Sequence, residues 1–195
     1  GNSGLGTNME FPDRNWFVKF AVFINDERKY LFWVGFITTV YGANWSLVKF
    51  GFVPIGFGFT APAGVYFAGL AFSLRDLLHE NGGRWWILSA ILAGALLSAL
   101  LSDAARIALA SGTAFLLSEI SDWLVYTPLR RKGWTIAVIC SNFVGLIIDS
   151  AVFLWLAFGS VQFIEGQIIG KLYMTALAVG LVLFFRKLPK IFQRI

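Results

Sequence analysis

Cysteine and histidine are nearly absent: the 195 residues contain one of each, Cys140 and His79. A single cysteine excludes an internal disulfide and any cysteine-held metal cluster, and its place in an apolar run reads as a packed thiol rather than a reactive one. The lone His79, set beside Asp76 and Glu80 at the end of an apolar stretch, does not make a metal site. It also leaves a serine or cysteine nucleophile without a partner base, so hydrolytic catalysis is not expected. P-loop, H-E-x-x-H, C-x-x-C and G-x-S-x-G patterns are all missing. The expectation is a protein that is not an enzyme and that carries neither cofactor nor metal.

Charge is scarce as well, at 14% of residues against 57% apolar ones. That balance is too hydrophobic for an ordinary soluble domain, and the length suits one membrane bundle. The excess of five positive charges is no nucleic-acid footprint, because lysine and arginine lie in the short segments between apolar runs. Twenty Phe and eight Trp suit contact with lipid tails and headgroups.

Taken in order, residues 1–8 (GNSGLGTN, ahead of Met9) read as a remnant of an expression vector and residues 9–29 as an interfacial helix, leaving 30–195 as one six-helix transmembrane domain. Spans are expected at about 30–48, 63–78, 85–101, 106–126, 134–158 and 168–185, with turns at ENGG, SDAAR and TPLRRKG. Between the first two, FGFVPIGFGFTAPAG is too rich in Gly and Pro for a helix. A broken helix, a re-entrant loop and a plain loop at the membrane surface all remain open there. Six spans put both termini on one side. Of sixteen basic residues, thirteen then fall on the terminal side and three (Lys49, Arg106 and Lys171) on the other, which predicts cytoplasmic termini. The small residues Gly94, Ala95 and Ala99 permit close helix packing but leave the oligomeric state undetermined.

The functional signal lies in the fourth and fifth runs. Carboxylates inside a membrane helix cost on the order of 2.5–3.5 kcal/mol each, so Glu119, Asp122 and Asp149 must face something other than lipid. At ~100° per residue Ser111, Phe115, Ser118 and Asp122 share one stripe, with Glu119 on its flank, and Asn142 shares a face with Asp149. Two such stripes predict a polar pocket between the fourth and fifth spans. With no cation expected nearby, the acids would accept hydrogen bonds from a neutral or cationic ligand rich in N–H donors, or take up a coupling proton or cation. Phe115, Trp123, Phe143 and Phe153 are candidate flat walls. Arg75, Asp76, Arg106 and Arg130 are candidates for gating or charge pairing. A purely structural reading has the same acids gluing helices together or pairing with Arg106, Arg130 or Arg131.

The run Arg106-Ile107-Ala108 with Ala110-Ser111, then Ser118-Glu119 and Asp122, Leu129-Arg130 before Trp134, Ser141-Asn142 and Asp149-Ser150 resembles the VUT family, the queuosine-precursor transporters of bacterial membranes. The resemblance is strong over 106–158 and weaker over 59–85. It implies a six-helix, multi-pass carrier of the bacterial inner membrane that imports a deazapurine base, the nitrile or aminomethyl precursor of queuine, or queuine itself. It also implies that Glu119, Asp122 and Asp149 bind the guanine-like edge with help from Ser111, Ser118 and Asn142. Members often carry Gln where Glu119 stands. Its alternatives are a substrate-binding subunit of an energy-coupling-factor vitamin uptake system and a non-transporting structural membrane protein.

Overall fold

A computed structural model describes residues 14–100 and 105–192. Residues 1–8, the first residues of the segment expected to be interfacial and most of the SDAAR turn lie outside the described residues. The chain runs α1 (Arg14–Phe50), β1 (Phe52–Gly56), β2 (Phe59–Pro62), α2 (Val65–Gly82), α3 (Arg84–Ala99), α4 (Ala105–Leu129), a 3-10 turn (Arg130–Lys132), α5 (Trp134–Phe158) and α6 (Ile164–Phe192). Two stretches, Glu27–Phe50 and Ile139–Phe158, are long and apolar enough to cross a membrane. Helix α4 is equally long but carries the polar stripe, which lowers its hydropathy without shortening it.

Three boundaries differ from the sequence expectation. First, α1 is continuous over 37 residues, about 55 Å at ~1.5 Å per residue, with no break where an interfacial segment would meet the first span. Second, the Gly- and Pro-rich segment is an antiparallel hairpin rather than a broken helix or an irregular loop. Its two-residue turn, Phe57–Gly58, has φ of +51° and +80°, the left-handed pair that matches the twist of two short strands. Pro54 fits because each strand of a two-stranded sheet is an edge. Third, α6 begins at Ile164, four residues earlier than expected, which draws Lys171 two turns into the helix.

The hairpin is held at one end of the bundle. A Cβ at Gly64 would collide with the carbonyl of Ala43 on α1, and one at Gly166 with the carbonyl of Thr60 on β2, so glycine lets both neighbours approach to backbone contact. The inner face, Ile55 and Ala61, packs on Val65 and Ile169.

Helices α4 and α5 pack along their length, with further contacts of α1 on α2 and α3, α2 on α6, and α3 on α4. The core is aromatic at its centre. Phe36, Phe72 and Phe115 are all buried, and Phe115 meets Phe36 at 5.5 Å and Phe72 at 5.7 Å between ring centroids. Outward positions carry Leu92, Leu96, Leu109, Leu124, Ile139 and Trp155, all exposed, the pattern of a bundle whose solvent is hydrocarbon.

Candidate functional site

Two of the three acids, Asp149 of α5 and Glu119 of α4, lie beside a cation from a different helix. On α5, Asp149 is 3% exposed and forms an ion pair with Lys171 of α6, itself 1% exposed. The Lys171 ammonium also donates to Ser150 Oγ at 2.9 Å, and Ser150 in turn donates to the Leu146 carbonyl. On α4, Glu119 Oε2 lies 3.6 Å from Arg75 Nη1 of α2, close enough for charge but with neither atom making a hydrogen bond. Arg75 spends its other donors on Asp76 Oδ1, at 2.8 and 3.1 Å, and on Asn142 Oδ1 of α5 at 3.0 Å.

The expectation that these acids lack a nearby base is therefore overturned. Lysine and arginine were placed at the ends of spans, but Lys171 and Arg75 are buried inside the bundle. The pocket is likewise not confined to the α4–α5 seam. Those two helices meet through Ser118, which donates to the Gly145 carbonyl at 2.8 Å, and a Cβ at Gly145 would press on the same hydroxyl. The two helices touch at this level, and residues of both line the space on either side of it, Asp122 with Asn142 toward α2 and Ser111 and Phe115 with Asp149 toward α6.

Two cavities result. The larger, about 430 Å³, opens at the end of the bundle away from the hairpin and is lined by Asp76, His79, Glu80, Asp122, Tyr126, Arg130, Ser141 and Asn142. Asp122 Oδ1 is buried there without a hydrogen-bond partner. The smaller, about 30 Å³, lies beneath the hairpin; its walls include Asn44 and Leu47 of α1, Val65 of α2, Ser111 and Phe115 of α4, Asp149 and Phe153 of α5, and Gln167 and Lys171 of α6. Between them stands the Phe72 ring, with the Arg75 guanidinium 5.0 Å and the Lys171 ammonium 5.6 Å from its centroid, both within cation–π range.

Of the residues singled out in the sequence, Asp122 and Asn142 thus line the open cavity, and Ser111, Phe115 and Asp149 line the closed one. Ser118 holds the helix seam, and Glu119 with Arg75 lies between the two. Phe153 is a wall of the closed cavity as expected, whereas Trp123 and Phe143 are 50% and 53% exposed and point away from both. Arg130 donates to the Tyr126 hydroxyl at 2.8 Å, and Arg106 to the Leu156 carbonyl at 3.3 Å. Arg106 bonds a backbone carbonyl because it faces the C-terminal end of α5, where carbonyls lack helical partners.

A polar, charge-compensated interior within an apolar helical bundle is the build of a solute carrier. Residues 85–186, just over half the chain, match the family described as "Putative vitamin uptake transporter". The chain belongs to this vitamin uptake transporter family. It is a membrane protein, as family and apolar helices together require. The match covers α3 to the greater part of α6, and so includes Glu119, Asp122, Asn142, Asp149 and Lys171, while the hairpin and Arg75 lie before it. No curated protein and no solved structure matches the chain.

Three residues of the transporter's interior were not singled out from sequence: Lys171 as a buried cation, Asn44 and Gln167. Their signal was present. Each is a polar residue on a helix that is otherwise largely apolar, and Gln167 and Lys171, four residues apart, share one helix face.

Proposed function

We propose that this transporter family member is a six-span carrier that imports a queuosine precursor, 7-cyano-7-deazaguanine or its aminomethyl analogue, or queuine, into the bacterial cytoplasm. Both termini are cytoplasmic in this reading, which follows the division of basic residues, twelve to two once the buried Arg75 and Lys171 are set aside, and the open cavity then faces the cytoplasm. The observation that carries the proposal is Asp122. Asp122 lines a cavity of about 430 Å³, within the ~300–1,000 Å³ range of small-molecule sites, and its Oδ1 is buried beside that space without a partner. A carboxylate accepts only, so the atom calls for an N–H donor, which the 2-amino-4-oxo edge of a deazaguanine supplies in adjacent positions.

Charge supports the same reading. Asp76, Glu80, Glu119 and Asp122 face Arg75 and Arg130, an excess of acid that suits a neutral or cationic solute and disfavours an anion. The unbonded Glu119 Oε2 is the natural seat of a coupling proton or cation.

The test is thermal stabilisation of the purified protein by deazaguanine precursors, queuine, guanine and a panel of vitamins, repeated on Asp122→Asn. A ligand at a hundredfold excess over its Kd adds ~2.7 kcal/mol of stability. Stabilisation by a deazaguanine, weakened in Asp122→Asn, is the expected result. Stabilisation by a vitamin alone overturns the substrate and favours an energy-coupling-factor subunit.

A further inference from the structure

We propose that the closed cavity beneath the hairpin is a second solute station, in which Asn44 and Gln167 read the lactam edge of a flat heteroaromatic ring. The inference rests on the carrier reading above and extends it to a site at the other end of the bundle.

Asn44 is 1% exposed and Gln167 2%, and both line this cavity. Asn44 Nδ2 and Gln167 Oε1 are buried without a hydrogen-bond partner. An unpaired buried polar atom destabilises the folded chain. Having two of them, one a donor and one an acceptor, in residues that wall one small cavity is a standing cost that a purely structural wall avoids by using leucine and methionine. A ring bearing adjacent C=O and N–H groups satisfies both at once. Phe115 and Phe153 supply faces for such a ring, and the Lys171–Asp149 pair presents opposite charges at the same wall.

The volume describes a state. About 30 Å³ holds two or three waters at ~10–15 Å³ each, so the station is shut in this conformation while the opposite cavity is open. Phe115, a wall of this cavity, packs on Phe72, and the Arg75 guanidinium lies 5.0 Å from the Phe72 ring centroid. A solute reaches the second station when this end opens and the Arg75 end closes, the sequence of events a carrier requires.

The experiment uses the full chain in lipid nanodiscs with four probes: 7-cyano-7-deazaguanine, guanine, nicotinamide and 2-pyridone. Apo melting temperature and probe affinity are measured for wild type, Asn44→Leu and Gln167→Met. The expected result is an apo melting temperature equal to or above wild type in both variants, since an unpaired polar atom has been removed, together with at least a tenfold loss of affinity for the probe that binds wild type. Affinity retained within twofold overturns the second station and leaves the proposed function standing. A lowered apo melting temperature in both variants also overturns it, because it shows that the amides have structural partners. If only nicotinamide or 2-pyridone binds, and binding depends on Asn44 and Gln167, the deazaguanine reading falls and the station stands. If no probe binds wild type, both fall.

Discussion

The Lys171–Asp149 pair invites a quantitative test, because both side chains are nearly sealed from solvent, at 1% and 5% exposure. Replacing Lys171 by Met keeps the length of the side chain and removes the charge. Asp149 is then a buried carboxylate with no cation, and Ser150 Oγ loses its donor. Breaking a buried pair from one side costs ~3–5 kcal/mol, whereas replacing both members by apolar residues is often neutral or better. For a protein of this length each kcal/mol moves the melting temperature by ~2–4 °C, so Lys171→Met should melt ~6–20 °C below wild type. The double variant Lys171→Met/Asp149→Leu should recover most of that loss. Thermal unfolding in a fixed detergent, followed by tryptophan fluorescence, measures all the species of the cycle. A single variant that melts within ~2 °C of wild type, or a double variant as unstable as the two single losses added together, refutes the claim that the pair is desolvated and mutually dependent.

Other positions give sharper local predictions. Ser118→Ala should cost only ~0.5–1 kcal/mol, the usual worth of a single interhelical hydrogen bond in a membrane, and should leave binding unchanged in the same titration. Phe72→Ala removes the ring shared by Arg75 and Lys171; we expect a loss of ~3–5 kcal/mol in stability and, in vesicles, leakage of solute that no longer saturates with concentration. Gly64→Val should displace the hairpin from α1, seen as faster proteolysis at the hairpin with the other helices intact. Phe57→Gly, at a tip position 87% exposed with positive φ, should be neutral to slightly stabilising in the melting assay.

The helices were legible because apolar runs separated by charged turns survive any detail of packing. The hairpin was not. Its turn is Phe-Gly, without the Asn-Gly or Asp-Gly that usually marks such a loop, and its Gly and Pro content reads equally well as irregular chain. At the site, periodicity correctly gathered Ser111, Phe115, Ser118 and Asp122 on one face of α4, but a face does not name its neighbour. The stripes were expected to look at each other across α4 and α5; Ser118 and Gly145 close that seam, and the acids found Arg75 and Lys171 instead. Those cations were hidden by the habit of assigning lysine and arginine to loops. In Lys171 the cause is a helix start set four residues late, which turned a buried residue into a flanking one on paper.

The hairpin also fixes a depth. A two-stranded sheet leaves the outer N–H and C=O groups of both strands without strand partners, and hydrocarbon offers them nothing, so Phe52–Pro62 must sit where water or the rest of the protein reaches them. Gly166 touches Thr60 on that hairpin, and Lys171 follows five residues later along α6, about 7.5 Å deeper at ~1.5 Å per residue. The buried ammonium is thus little more than one helical turn below the hairpin, enclosed by Asp149 and Ser150 of α5 and by the Phe72 ring of α2.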